Sequence, residues 1–211
     1  IDGYEQITAP TGIMNIRNFI RKKFNGQRVL SVDDDLKGIS RGNFGKFVPL
    51  TSNDLKDFND YAWTTMKQEQ CYLGGINLHY NPFFCRDKIS TNLTYINGSY
   101  TYFDLSDNRE PIYVQIDHFE DYQTSIEYFI RDGRLCKFCN YSIKTKCYNA
   151  DGGICGQILG SSSGQYTRQQ SAYENGLIME AVYSEYVKLT YSKKNKIYNL
   201  KLKNIKSNRI L

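Results

Sequence analysis

No stretch of the 211 residues approaches the ~20 consecutive apolar residues of a membrane span, and no signal peptide opens the chain. A membrane is therefore not among the expected partners. Nor does any Gly-Lys-Ser/Thr pattern open a helix, so the Gly-rich run Gly38-Ile39-Ser40-Arg41-Gly42-Asn43-Phe44-Gly45 reads as a mobile active-site segment, not a phosphate cradle. Histidine is scarce, two in all, and an isolated one such as His118 is more often structural than catalytic. A second C-x2-C knuckle is also missing. Cys136, Cys139, Cys147 and Cys155 run C-x2-C-x7-C-x7-C, and four thiolates could hold a structural zinc. The first pair lies on an apparent strand, however, so reduced structural cysteines are the favoured reading. The chain opens on Ile1 instead of Met, as a fragment or a trimmed chain would.

What is present fits an ordinary globular protein. Hydrophobic residues make up 40% and charged residues 23%, and the length suits one domain, 1–211, with a real core. The six cysteines are even in number, and Asn92, Asn97 and Asn140 each head an Asn-x-Ser/Thr sequon. A chain this long needs no disulfides, and sequons arise by chance where Asn, Ser and Thr abound, so a reducing cytosol is expected. The net charge of +5 is unevenly placed. Residues 185–211 hold eight Lys/Arg and one Glu, which leaves the rest of the chain at −2. That basic segment, with Lys193, Lys194 and Lys196 at its centre, could meet nucleic acid or simply keep an edge soluble.

One stretch organises the remainder. Val29-Leu30-Ser31-Val32 reads as a buried strand that ends in Asp33-Asp34-Asp35. Three adjacent carboxylates repel one another unless a cation sits among them. Asp33 and Asp35 face the same side if the strand continues, and Mg²⁺ or Mn²⁺ needs only one or two carboxylates plus phosphate oxygens. A solvated acidic turn is the competing reading. Ahead of the strand, Ile13, Ile16, Ile20 and Phe24 give a helix face, with Thr11 as N-cap and Arg17 and Asn18 off that face. Downstream, Thr51 to Asp54 starts a second helix that buries Leu55, Phe58, Ala62 and Met66. Trp63, off that face, packs on a neighbour or lines a cleft. Cys71 to Tyr80 reads as a strand whose Gly74-Gly75 permits close approach or a bulge.

Tyr113 to Ile116 reads as another short strand, ending in a second acidic cluster, Asp117-His118-Phe119-Glu120-Asp121. A helix follows, and acids in its first turn gain ~0.3–1 kcal/mol each from its dipole, which alone would explain Glu120 and Asp121. A strand from Arg134, a helix from about Ser161 to Lys188 broken near Asn175-Gly176, and a Lys-rich edge strand from Lys196 to Ile205 complete the expectation.

The ordered set Gly12, Arg17-Asn18, Asp33-Asp34-Asp35, Asn81-Pro82-Phe83-Phe84, Phe119-Glu120-Asp121, Tyr148-Asn149, Gly152-Gly153 and Ser163 to Arg168 resembles GT-A fold glycosyltransferases. It is most similar to the phage and viral branch associated with thymine or 5-methylcytosine hydroxylases. The resemblance implies an α/β, GT-A-like mixed sheet flanked by helices, and a cytoplasmic protein, in the host cell if viral. It implies a nucleotide-sugar donor whose diphosphate is held by Mn²⁺ or Mg²⁺ on Asp33 and Asp35, with the metal acting as Lewis acid. Asp121 is then the base on the acceptor hydroxyl, with Glu120 in reserve and His118 orienting the base or touching the metal. Arg17, Asn18, Asp34, Gly152 and Gly153 would contact substrate, and Arg168 would neutralise the diphosphate. The acceptor implied is a hydroxymethylated pyrimidine in DNA. Only 32 residues precede Asp33, so the N-terminal nucleotide-binding unit of the fold is expected to be truncated or missing. Two alternatives stand beside this reading: the same transfer to a surface or capsule glycan, and a non-catalytic nucleic-acid-binding module.

Overall fold

The computed structural model describes residues 5–43, 45–78, 81–145 and 164–207, with the side chains of 43, 84 and 164–168 left aside. Helix α1 (Ile13–Lys23) leads into β1 (Arg28–Val32), and a hairpin follows from β2 (Leu36–Asn43) and β3 (Lys46–Pro49). Helix α2 (Ser52–Gln68), β4 (Leu73–Asn77), the short β5 (Ile89–Ser90) and β6 (Tyr100–Asp104) come next. The chain then forms α3 (Glu120–Asp132), β7 (Cys136–Thr145), α4 (Gly164–Val182), β8 (Val187–Ser192) and β9 (Ile197–Leu202). The first seven strands make one mixed sheet in the order β1-β6-β4-β7-β2-β3, with β5 added on β7. Among the described residues β4 and β7 run parallel, and every other pair is antiparallel. β8 and β9 form a separate hairpin. No helix among the described residues is long and apolar enough to cross a membrane.

Helices cover both faces of the sheet, and each face has its own core. On one side α2 lays Phe58, Ala62 and Met66 on Ile76, Tyr100, Tyr102, Phe138 and Ile143. Thr51 starts that helix with a complete capping box to Asp54, as its sequence indicates. Trp63 packs edge-on to Tyr102 at 5.0 Å, so its place is the flank of this core. On the other side α3 contributes Ile126, Tyr128 and Phe129, and α4 adds Met179 and Tyr183 with Val187 and Leu200 of the hairpin. Glycine lets the layers close. A Cβ on Gly74 would stand 2.6 Å from the Met66 sulfur, and one on Gly75 2.7 Å from Cγ2 of Ile96.

Several expectations give way here. The β1 strand is not internal: it is the edge of the sheet, paired only with β6, and Val32 is 47% exposed. Tyr113 to Ile116 form no ladder. Their backbone is held instead by Asn18, whose amide donates to the Val114 carbonyl at 2.8 Å and accepts the Val114 N–H at 2.9 Å. A side-chain amide thus replaces a neighbouring strand. The N-cap of α1 is Gly12, not Thr11, and it carries φ +93°. Asp117 caps the helix from across the chain, accepting the Met14 N–H at 3.1 Å. Helix α4 runs unbroken through Asn175-Gly176 and ends at Val182, with β8 rather than further helix beyond. The tail does form a strand, β9, but it pairs along its length with β8. Cys136 is buried in the α2-side core, and Cys139 stands at odd spacing on the opposite face of β7. The C-x2-C pair therefore does not converge, and Cys71, Cys85, Cys136 and Cys139 are free thiols.

Candidate active site

Asp33, Asp34 and Asp35 do not continue β1. They form a tight turn into β2, in which the Leu36 N–H donates to the Asp33 carbonyl at 3.4 Å and the Asp33 N–H to the Ser99 carbonyl at 3.1 Å. The turn leaves Asp34 exposed and Asp33 and Asp35 half-buried at the sheet edge. Both half-buried side chains offer oxygen donors only, the set a hard divalent ion prefers. Among the described residues no group of three or more His, Cys, Asp or Glu comes together. An ion held by Asp33 and Asp35 would thus draw its other ligands from water or from phosphate oxygens.

Arg17 explains why Asp33 sits where it does. Helix α1 turns this residue inward, so that it is only 7% exposed. Nη2 donates to Oδ1 of Asp33 at 2.9 Å, Nη1 to the Ser31 hydroxyl at 3.1 Å, and Nε to Oε1 of Glu120 at 3.3 Å. One planar guanidinium therefore joins the acidic turn to the first turn of α3, a use to which its fixed fork is suited. Burial alone would lower its pKa, but the two carboxylates outweigh that and raise it. Gly98 makes room for the bridge, because a Cβ there would lie 2.8 Å from Nη2 of Arg17 and 3.2 Å from Oε1 of Glu120.

Glu120 and Asp121 form a carboxyl pair at the N-terminus of α3. Burial, and then the charge of Asp121, push the Glu120 carboxyl up to about 8 in spite of Arg17. Asp121 is also raised by burial, although donors oppose the shift. These donors are the Tyr95 hydroxyl in a short bond to Oδ2, the Tyr122 N–H at 2.9 Å to Oδ1, and the proton of Glu120 itself. Two adjacent carboxyls, one buried and one half-buried, hold each other's ionisation back, as like charges do. The Asn97 amide donates to the Tyr95 hydroxyl at 3.0 Å and so orients it. Rings close around the pair: Tyr95 and Tyr122 lie 4.4 Å apart, Phe119 meets Tyr122 edge-on, and His118 meets Phe119. His118 packs edge-on against Phe119 at 4.5 Å. Phe119 itself sits at φ +71°, a conformation rare for a bulky side chain and most often met where function holds the backbone.

The other expected residues divide in three. Arg17 and Asn18 belong to the site, but their hydrogen bonds run inward and tie segments together. Lys193, Lys194 and Lys196 stand exposed in the β8–β9 turn, on a different element from the acids. Gly152 and Gly153 lie outside the described residues, as do Tyr148, Asn149, Cys147 and Cys155, and so does the side chain of Arg168. Tyr95 and Asn97 carried no sign beyond a chance-level sequon, and the Asn97 amide is spent on Tyr95 in a site where the residue is only 9% exposed. Beside β1 an open groove of about 450 Å³ is lined by Ile20 of α1, by Phe24 just past its end, and by residues 27–32.

Comparison with protein families, curated proteins and solved structures finds no match to this chain. The fold is therefore stated from its own elements: mixed α/β, with a mostly antiparallel sheet between helices.

Proposed function

We propose that the chain is a metal-dependent glycosyltransferase of GT-A-like fold that moves a sugar from a nucleotide sugar to the hydroxyl of a hydroxymethylated pyrimidine in DNA. The observation that carries this reading is Arg17, which links Asp33 to Glu120 through one guanidinium. An acidic turn suited to a divalent ion and a buried carboxyl pair suited to proton transfer are thereby held in one rigid unit. A bound Mg²⁺ or Mn²⁺ would supply Lewis-acid stabilisation of the diphosphate leaving group. The protein's own part is the rest. Asp35 and the free side of Asp33 would hold the ion, and Arg17 aims Asp33 toward it. Asp121 takes the proton from the acceptor hydroxyl, and Tyr95 and the Tyr122 N–H fix which of its oxygens faces the acceptor. Glu120 keeps a proton at neutral pH, because burial and Asp121 hold its carboxyl up at about 8. The half-buried rings of Tyr95, Tyr122 and Phe119 border the pair, and a base could stack on the face of one of them.

Titration calorimetry with nucleotide sugar, with and without Mn²⁺, tests the metal half. Asp35→Asn is expected to remove the Mn²⁺-dependent part of binding. Asp121→Asn is expected to keep that binding and to slow transfer by roughly 10²–10⁴-fold. Labelled donor offered with hydroxymethylated DNA or with oligosaccharide identifies the acceptor, and transfer to oligosaccharide alone would overturn DNA. Binding and transfer both intact in Asp35→Asn would overturn the metal assignment.

A further inference from the structure

A second polar cavity lies on the sheet, away from the acidic turn, with a volume of about 310 Å³. Its walls are Asn77 at the end of β4, Arg86, Lys88 and Ser90 around β5, Thr94, and Lys137 and Cys139 of β7. Three cations and no carboxylate line it. Asp87, between Arg86 and Lys88 in sequence, accepts from the Asn140 amide at 2.7 Å and does not line the cavity. Among the described residues none of the three cations forms a salt bridge. Lys137 is partly buried, and its ammonium donates to a neutral group, the Tyr95 carbonyl, at 3.1 Å. Burial lowers its pKa, as expected for a cation not yet given its counter-charge. The hydroxyls of Ser90 and Thr94 add the neutral donors that phosphate sites commonly combine with Lys and Arg.

The position is informative as well. Tyr95 offers its carbonyl to Lys137 at the cavity and its hydroxyl to Asp121 at the carboxyl pair. The cavity and the proposed base are therefore separated by a single tyrosine. We infer that this cavity binds a phosphate group, supplied by a phosphodiester of the acceptor strand, and so holds the strand in register with Asp121. The source, though not the anion site itself, rests on the proposed DNA acceptor.

Cys139 lines the cavity and reports on its occupancy. Iodoacetamide labelling of the full chain, mapped by mass spectrometry, would follow Cys139 against Cys85. A short thymidine oligonucleotide at ten times its dissociation constant is expected to slow Cys139 labelling roughly tenfold, and its uncharged methylphosphonate analogue is expected not to. Arg86 and Lys88 are exposed, so the Arg86→Gln/Lys88→Gln double variant tests the same point without disturbing the core. The salt slope of its oligonucleotide binding should flatten by about 1.4, from two single-strand contacts at −0.7 each. Protection by inorganic pyrophosphate but not by the oligonucleotide would uphold the phosphate site and overturn the acceptor strand as its source. Unchanged labelling with every probe, or equal protection by the methylphosphonate, would overturn the site, and an unchanged salt slope would overturn the acceptor strand as its source. The Asp35→Asn binding experiment is independent of all these readouts, so the cavity and the metal reading fail separately.

Discussion

Glu120 is the residue on which the electrostatics of the site turn. Its neighbours pull in opposite directions: burial and Asp121 favour the proton, Arg17 favours the charge, and the first two win. An acid whose folded pKa exceeds its unfolded value keeps a proton that the unfolded chain has lost. Stability then falls as pH rises through the window between the ordinary value of 4.5 and about 8. Glu120→Gln retains an N–H that can donate to Asp121 and a carbonyl that can accept from Arg17, while removing the titration. The melting temperature of the wild type is thus expected to fall relative to Glu120→Gln across that window, by an offset worth up to a few kcal/mol. Thermal melts of both proteins at a series of pH values check it, and parallel curves would assign the decline to other groups. Asp121 shifts in the same direction from burial, so its readiness as a base should also increase with pH.

Among the elements, those with a strong local pattern were legible in the sequence. The capping box and buried stripe of α2 follow from spacing alone, and the structure has them. Helix α1 was legible as a helix but not for its facing. Its most buried residues are Arg17 and Arg21, because the partners that neutralise Arg17 come from the acidic turn and α3, which local spacing cannot reveal. Arg21 likewise finds the Ile112 carbonyl and the Thr124 hydroxyl across the fold. The acids at 33–35 and 120–121 stood out by composition, whereas the 95–98 loop that positions them carries common residues and became visible only in three dimensions. Gly75 connects that loop to the sheet. Alanine there would set a Cβ 2.7 Å from Cγ2 of Ile96 and 3.3 Å from the Tyr100 carbonyl, and Ile96 is β-branched and fully enclosed. Overpacking of this kind costs about 1–3 kcal/mol. Gly75→Ala is expected to lower stability by that amount and, by shifting Ile96, to displace Tyr95 from Asp121. Denaturant melts would measure the first effect and a lower transfer rate the second. A fully stable, fully active variant would mean that Ile96 moves without its neighbour.

At the scale of the whole molecule, charge is divided between two places. The acidic turn lies at the edge of the large sheet and the carboxyl pair at the start of α3, and the basic excess of residues 185–211 lies on the β8–β9 hairpin and beyond. The hairpin is fixed by Val187 and Leu200, which enter the α3–α4 core, so Lys193, Lys194 and Lys196 at its tip are held out from a rigid support. A polymer of phosphates bound near the acids needs such attraction, because the carboxylates themselves repel it. Each lysine that meets duplex phosphate should contribute about −0.9 to the slope of log K against log salt. Replacing the three by Gln leaves the β8–β9 ladder untouched, since all three lie in the turn. The slope should then flatten by roughly two to three units. KM for long modified DNA should rise while kcat holds, because these charges lie on an element apart from the groups proposed for the chemistry. A short modified oligonucleotide, unable to reach both places, should respond less. Salt titrations of binding and steady-state kinetics on long and short substrates make the comparison, and an unchanged slope would reduce these lysines to charges that guard a two-stranded edge against pairing with its neighbours.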